Sequence, residues 1–219
     1  MAVTPFMIDL ANKRVVIVGG GRVAVRRIRY LLASGACMTV ISPELSKEVR
    51  SLWKSGIFYW KQKIVEADDL TGAFLIIVAT NDATVNQAVI EAAPKTALIN
   101  VVTDAEQGDV QFPAHLQQGK LSISIATNGA SPMLAGEIKR QLAAMYDQNY
   151  REYVDFLDAC RKLIKRLLLT KPAQKQLLRE LLDERFLNKQ KQVFMMEWLK
   201  SLERIEKHAE LLRWKTDQK

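Results

Sequence analysis

Five short apolar runs recur through the first half of the chain, and segments with helical spacing lie between them. The runs are VVIVG at 15–19, CMTVISP at 37–43, FYWKQ at 58–62, AFLIIVAT at 73–80 and ALINVV at 97–102. Apolar residues follow helical intervals at 23–35, 45–56 and 81–93. Unbroken apolar strands that alternate with helices are typical of a parallel sheet covered on both faces. The pattern predicts an α/β fold, with a parallel sheet domain over residues 1–112.

The pattern changes after residue 103. DVQFP at 109–113 and KLSISIAT at 120–127 are predicted as two further strands, and a helix follows with Ser131 as its N-cap. From about residue 150 the sequence has helical spacing throughout, with breaks expected at Pro172 and Asn188. We therefore predict three regions: the sheet domain at 1–112, a small α+β domain at 113–150 and an all-helical C-terminal domain at 151–219.

Charge is spread unevenly over the 219 residues. The chain carries a formal net charge of +8, and most of the surplus falls in residues 151–219. A basic surface attracts nucleic acid, an acidic membrane or a polyanionic small molecule. The basic residues of the tail are interleaved with acids (RELLDER, LERIEKHAE) and show no nucleic-acid motif, so no nucleic-acid partner is predicted.

Neither a membrane span nor a secretory signal is visible. No run reaches about 18 apolar residues, and the first residues lack a basic region followed by an apolar core. The two cysteines, Cys37 and Cys160, match no metal or redox spacing. We expect a cytoplasmic protein with reduced thiols, no membrane partner and no metal site.

Glycines directly follow the first apolar run. Gly19-x-Gly21-x-x-Ala24 lies between a predicted strand and a predicted helix, which is the context of a dinucleotide fingerprint. Its first glycine allows a tight turn, its second lets backbone N–H groups approach a pyrophosphate, and its third small residue lets helix and strand pack. The pattern predicts a bound NAD, with Arg22 and Val23 at the start of the helix beside the phosphates. A glycine-rich turn without a ligand is the alternative.

The second strand lacks the acidic end that usually binds the ribose of NAD. Ser42, Pro43 and Glu44 stand there instead, and we expect this turn to bind the ribose. No arginine lies between 38 and 49 to take the extra phosphate of NADP, so NAD is favoured.

Several of these segments together resemble the precorrin-2 dehydrogenases of sirohaem synthesis. They are VGGGRVAVRR, a strand ending in Ser-Pro, VATND-x-x-VN, INVV and TNGASPMLA, in that order from about residue 5 to about residue 145. The resemblance implies a Rossmann-type domain at 1–112, a dimerisation domain at 113–150 and a helical C-terminal domain at 151–219. It implies NAD-dependent oxidation of precorrin-2 to sirohydrochlorin by a homodimer. It also gives the basic surplus a purpose, because this tetrapyrrole substrate carries eight carboxylates.

The resemblance implies roles for polar residues at the strand ends and in the small domain. Asp104 follows the last strand and is the expected proton acceptor, with Asp109 in reserve; a solvated turn carboxylate is the alternative. The residues expected to border the nicotinamide ribose are Thr80, Asn81, Asp82 and Asn100, although Asn81 and Asp82 also fit a plain helix cap. Those expected to contact the substrate are Asn128, Gly129, Ser131 and His115, although Ser131 also fits a plain helix cap.

Two other functions stay open at this point. Some relatives of this family also insert iron, so a bifunctional dehydrogenase and ferrochelatase is one alternative. The other is a non-enzymatic, NAD-sensing regulatory domain. Such domains usually keep the acidic residue after the second strand, which is absent here.

Overall fold

The computed structural model describes residues 3–216, and the chain divides into two compact units between Phe112 and Pro113. Each unit is described by itself. Within residues 3–216, no helix is both long enough and apolar enough to cross a membrane.

Unit 1 is built on a five-stranded parallel sheet. Its strands are β1 (Arg14–Val18), β2 (Cys37–Ile41), β3 (Tyr59–Lys61), β4 (Leu75–Val78) and β5 (Leu98–Val101). They are ordered β3-β2-β1-β4-β5. The central strands are buried on both faces, which is why they read as unbroken apolar runs. The predicted parallel sheet is confirmed.

Helices cover both faces of this sheet. They are α1 (Arg22–Leu31), α2 (Lys47–Lys54), α3 (Ala67–Leu70) and α4 (Ala83–Ala92). Val15 and Ile17 point into the core that includes α1 residues, whereas Val16 and Val18 point into the opposite core. The sequence pattern missed α3, because a helix of four residues is too short to show a helical period.

The strand predicted at 109–113 is wrong. This segment contributes no strand, and it runs beside the outer edge of β5 instead. The N–H groups of Asp109 and Val110 both donate to the carbonyl of Ile99, at 2.8 and 3.0 Å. The Asp109 carboxylate accepts from the Ile99 N–H at 3.1 Å. Pro113 has no N–H to give to a ladder, so regular pairing begins only after it.

Unit 2 joins a hairpin to a group of helices. The hairpin pairs β6 (Ala114–Gln118) with β7 (Leu121–Ile125) in antiparallel fashion. The helices are α5 (Pro132–Met145), α6 (Gln148–Ile164), α7 (Lys171–Glu180) and α8 (Lys189–Thr216). Pro172 stands in the first turn of α7, and Asn188 caps α8, so both expected breaks are present. The predicted boundary after residue 150 falls inside α6, and the three-region division stays a prediction.

An apolar core holds these helices together. Phe156, Cys160 and Ile164 of α6 pack with Leu181 and with Leu199 of α8. The hydroxyl of Tyr153 donates to the Leu181 carbonyl at 2.7 Å, which satisfies a polar group inside that core.

Candidate active site

The carboxyl ends of the parallel strands form the edge where ligands of open α/β sheets bind. At the end of β1, Gly19 adopts a φ of +116°, which side chains rarely tolerate. A Cβ here would also overlap the Ala79 carbonyl at the end of β4. Gly19 is therefore required by the tight turn itself.

Gly20 has a different role, which the sequence analysis did not assign. A Cβ at this position would overlap the Glu44 carbonyl and approach Ser42 Oγ to 2.9 Å. The Gly20 carbonyl also accepts a hydrogen bond from the Ser46 N–H at 2.8 Å. The turn after β2 thus packs directly on Gly20. Only a long-range contact reveals this, so the sequence carried no signal beyond the glycine itself.

Gly21 contacts no other part of the described chain closely. A Cβ at this position would meet nothing within 4 Å, and its φ of −91° is open to any residue. Gly21 is the N-cap of α1, and no side chain among the described residues caps this helix. The first-turn N–H groups and the positive end of the helix dipole are thus left for an anion. The open space and uncapped turn fit the pyrophosphate of a dinucleotide.

Arg22 and Val23 form the first turn of α1, as expected, and Arg22 is exposed. Ala24 is fully buried in the core beneath the turn. A small residue at this third position allows close packing of helix and strand.

The turn after β2 is held by Ser42. This residue is only 8% exposed, and its hydroxyl donates to the Glu44 carbonyl at 2.6 Å. Its own carbonyl accepts from the indole N–H of Trp60 at 3.0 Å. Pro43 and Glu44 are exposed at the tip of the turn. The described bonds of Ser42 shape the turn, and the ribose contact stays a prediction, with Glu44 as its exposed carboxylate.

The loop after β4 contains Thr80, two residues beyond the end of the strand. Asn81 is exposed, and Asp82 caps α4 by accepting from the N–H groups of Thr84 and Val85 at 2.9 and 3.1 Å. Thr80 Oγ1 donates to Oδ1 of Asn86 at 2.6 Å. Asn86 is 7% exposed and was not among the predicted site residues. Its place in the VATND-x-x-VN segment was the available signal.

Asn100 in β5 carries an unsatisfied acceptor. Its side chain is 4% exposed, and its Nδ2 donates to the Val110 carbonyl at 2.7 Å. Its Oδ1 is buried, with no hydrogen-bond partner among the described residues. A buried acceptor without a partner costs free energy, so the atom suits a donor from a bound ligand.

The two candidate acids after β5, Asp104 and Asp109, differ in their hydrogen-bond partners. Asp104 is exposed, and its oxygens accept from the Glu106 N–H at 2.9 Å and from Gln107 Nε2 at 3.0 Å. These are local contacts at the start of a short 3₁₀ turn. Asp109 instead completes the hydrogen bonding of the sheet edge through Ile99.

The expected substrate residues lie in unit 2. Ser131 caps α5 by accepting from the Leu134 N–H at 3.2 Å, so the helix-capping interpretation is confirmed. Asn128 and Gly129 are exposed with positive φ in the turn before it. His115 lies on the hairpin, with Nε2 2.9 Å from Gln117 Oε1 and Nδ1 3.3 Å from Ser124 Oγ. Their contact with substrate stays a prediction.

Within the described side chains, no group of three His, Cys, Asp or Glu residues is arranged to hold a metal ion.

Three family models match successive parts of the chain. Residues 6–114 match a model described as putative NAD(P)-binding. Residues 118–145 match the central part of a sirohaem biosynthesis protein, and residues 150–193 match the SirC C-terminal domain. The nucleotide-binding character of unit 1 is thus supported independently of its geometry.

Curated relatives extend the match over most of the chain. A precorrin-2 dehydrogenase of Priestia megaterium is 40% identical over 180 residues, which cover 82% of this chain and 89% of the relative. The chain belongs to the precorrin-2 dehydrogenase family. A precorrin-2 dehydrogenase of Bacillus subtilis is 34% identical over 158 residues, covering 72% of this chain and 98% of that family member.

A solved structure agrees with the family assignment. SirC, a precorrin-2 dehydrogenase, superposes with a TM-score of 0.80 at 37% identity, covering 91% of this chain and all of that chain. The predicted fold class is confirmed. A siroheme synthase of Actinobacillus pleuropneumoniae is 35% identical, but the chain spans only 33% of its length.

Family membership makes the chain an oxidoreductase, so the non-enzymatic regulatory alternative is set aside. The cofactor prediction is confirmed at the level of an NAD(P)-binding domain.

Proposed function

We propose that this protein oxidises precorrin-2 to sirohydrochlorin with NAD⁺ in sirohaem biosynthesis. The observation that carries the proposal is the 40% identity to a precorrin-2 dehydrogenase, which extends over 89% of that enzyme. The open, uncapped turn at Gly21 supports the nucleotide part of the proposal. The reaction removes a hydride and a proton from each precorrin-2, so the protein must position the substrate and receive the proton.

Unit 1 would hold the cofactor at the carboxyl edge of its sheet. The turn at Gly19 and Gly21 and the first turn of α1 would take the pyrophosphate, and Pro43 and Glu44 the adenosine ribose. Thr80, Asn81, Asp82 and the unsatisfied Oδ1 of Asn100 would lie towards the nicotinamide end. When bound, NAD⁺ supplies the hydride acceptor.

The choice of NAD over NADP has support from the neighbouring strand. Lys61 ends β3, next to β2, and Lys63 follows it. Both ammonium groups are paired with the Asp69 carboxylate, at 2.8 and 3.2 Å, and that of Lys63 is also paired with the Glu66 carboxylate at 2.8 Å. These cations are therefore already neutralised, and an extra phosphate would have to compete with Asp69 for them.

Asp104 is the proposed proton acceptor. It is exposed, and its described bonds come from its own turn, so its oxygens have room for a substrate proton. Asp109 is engaged in the hydrogen bonding of β5 and would disturb the sheet edge if it were protonated. A positioned carboxylate that takes a proton contributes about 10²- to 10⁴-fold to a rate.

The substrate is a polycarboxylate, and unit 2 supplies groups suited to carboxylates. Asn128, Gly129 and Ser131 form the turn before α5, where backbone N–H groups and a helix N-terminus favour an anion. His115 is the proposed additional contact. The basic surplus of residues 151–219 would raise the local concentration of such a substrate.

The first experiment is an anaerobic incubation with precorrin-2, in which NADH and sirohydrochlorin are followed together. We expect one NADH for each sirohydrochlorin, with NAD⁺ preferred over NADP⁺. Asp104→Asn should lower kcat by about 100-fold or more with the affinity for NAD⁺ unchanged. Asp109→Asn is the matched control and should keep kcat while lowering the melting temperature.

Two results would contradict the proposal. If the protein binds NAD⁺ but does not oxidise precorrin-2, then precorrin-2 is not its substrate. A loss of kcat in Asp109→Asn but not in Asp104→Asn would move the acceptor to Asp109.

We also propose that the enzyme is a cytoplasmic homodimer. Exposed apolar residues on α5, Met133, Leu134 and Met145, support this, because a second copy would remove them from water. Sedimentation equilibrium should then give twice the chain mass of 24.8 kDa, and a single-chain mass would exclude the dimer.

A further inference from the structure

We propose that Asn86 is a positioning residue, which holds the loop that carries Asp104 against the loop that follows β4. The inference rests on the proposed function, because it acts through Asp104 as the proton acceptor. Asn86 itself is on α4 and is 7% exposed, so it is not offered as a contact of the substrate.

The Asn86 side chain joins the two loops through its amide. Its Oδ1 accepts from Thr80 Oγ1 at 2.6 Å, and its Nδ2 donates to the Thr80 carbonyl at 3.3 Å. The same Nδ2 lies 3.5 Å from Thr103 Oγ1. One acceptor and two donors of a single buried amide are thus used to connect the ends of two strands.

The position of these bonds explains why a side chain is needed. β4 and β5 run side by side, and the last backbone bond between them joins the Val102 N–H to the Val78 carbonyl at 3.1 Å. Beyond that point, among the described residues, the hydrogen bonds that link the two loops run through Asn86. Without Asn86, no hydrogen bond among the described residues would link the two loops.

Thr103 directly precedes Asp104, so the contact with Asn86 acts on the backbone next to the acceptor. At 3.5 Å this contact lies at the long limit of a hydrogen bond. A displacement of about 1 Å in a reacting group can lower a rate by about 100-fold. A residue that fixes Thr103 therefore controls the rate without touching the substrate.

The test compares three variants, each in the parent and in an Asp104→Asn background. Asn86→Ala removes the whole connection, and Thr103→Val removes only the contact with the Asp104 loop. Gln87→Ala is the matched control, because the neighbouring Gln87 is exposed and its amide donates, within the part of the chain that the structure describes, to Glu91 on the same helix. The readouts are kcat, KM, the dissociation constant for NAD⁺ by calorimetry and the melting temperature.

We expect Asn86→Ala and Thr103→Val each to lower kcat about tenfold or more. Thr103→Val should leave the NAD⁺ dissociation constant within about twofold. In the Asp104→Asn background neither change should lower kcat further, because the acceptor that they position is gone. Gln87→Ala should match the parent in every readout. Thr103 is exposed, so its variant carries the test if Asn86→Ala does not fold.

The inference is overturned if Thr103→Val keeps the parent kcat while Asp104→Asn lowers it; the proposed function then stands without it. It is also overturned if Asn86→Ala lowers kcat as strongly in the Asp104→Asn background as in the parent. An unchanged kcat in Asp104→Asn alone rejects the acceptor itself, and this inference with it.

Discussion

The two units of the molecule differ in what they bury. Among the described residues, unit 1 buries four polar or charged side chains: Ser42, Asp69, Asn86 and Asn100. Unit 2 buries one, Gln192, whose amide donates to the Phe186 carbonyl at 2.7 Å. The rest of its buried core, around Phe156 and Leu199, is apolar apart from the satisfied hydroxyl of Tyr153.

The difference follows the strand ends. Ser42 directly follows β2, and Asn100 lies in β5. Asn86 binds the loop after β4, and Asp69 pairs with the lysine that ends β3. Burying a polar group costs free energy unless it is hydrogen-bonded, so a core with these four side chains is less stabilising than an apolar core of the same size. Unit 1 accepts that cost where loops must be held for a ligand, whereas unit 2 is stabilised mainly by apolar packing.

The largest effects are expected from two glycines of unit 1. Substitution of Gly20 should lower stability, and substitution of Gly21 should weaken NAD⁺ binding. Gly20→Ala should lower the free energy of unfolding by about 3 kcal/mol, because its Cβ overlaps the Glu44 carbonyl. Gly21→Ala should change it by at most about 1 kcal/mol, since no other part of the described chain lies within 4 Å of the added Cβ. It should weaken NAD⁺ binding about tenfold or more.

Urea denaturation and calorimetry with NAD⁺ measure the two quantities on the same samples. A stable Gly20→Ala variant would show that the turn after β2 moves away freely. Unchanged NAD⁺ affinity in Gly21→Ala would show that the open space in front of α1 is not where the pyrophosphate lies.

Smaller effects on stability are expected from two groups of ion pairs, a buried one around Asp69 in unit 1 and a more exposed one around Asp158 in unit 2. Burial would raise the pKa of Asp69, but hydrogen bonds from Lys61, the Glu66 N–H and Lys63 outweigh it and lower the pKa to about 2. Hydrogen bonds from Lys120 and Lys162 lower the pKa of Asp158 to about 2 as well. The Asp69 side chain is 6% exposed and that of Asp158 is 30% exposed.

Both carboxylates have a folded pKa below the ordinary 3.8, so each stabilises the fold above that pH. The contribution is lost as the pH falls from about 4 to about 2. Asp69→Asn should cost about 2 kcal/mol at pH 7 and remove part of this acid dependence. Asp158→Asn should cost clearly less, and its effect should vanish in about 1 M salt because exposed pairs are screened.

Thermal unfolding at pH 7 and at pH 3, with and without salt, makes the comparison. Equal losses in the two variants would mean that burial adds nothing to the Asp69 cluster. A salt-sensitive Asp69→Asn effect would mean that water reaches this cluster more freely than its exposure indicates.

The sequence predicted the parts of the molecule that depend on local pattern. Apolar runs identified all five strands of unit 1, Gly19 and Gly21 marked the turn, and Ser131 was recognised as a cap because its bond spans only three residues. Gly20, by contrast, is required by Glu44, 24 positions away, and Asn86 reaches Thr103, 17 positions away. Such contacts exist only once the sheet has formed, which is why single-sequence patterns missed them.

The segment 108–110 has a consequence for the behaviour of the protein at high concentration. β5 is an outer strand of the sheet, and its exposed backbone groups would offer a template for pairing with strands of other molecules. The bonds of Asp109 and Val110 occupy both the N–H and the carbonyl of Ile99. A Cβ at Gly108 would lie 2.8 Å from the Ile99 carbonyl oxygen, so the covering backbone fits closely there. This short segment thereby leaves Ile99 with no free backbone group for pairing with a strand of another molecule.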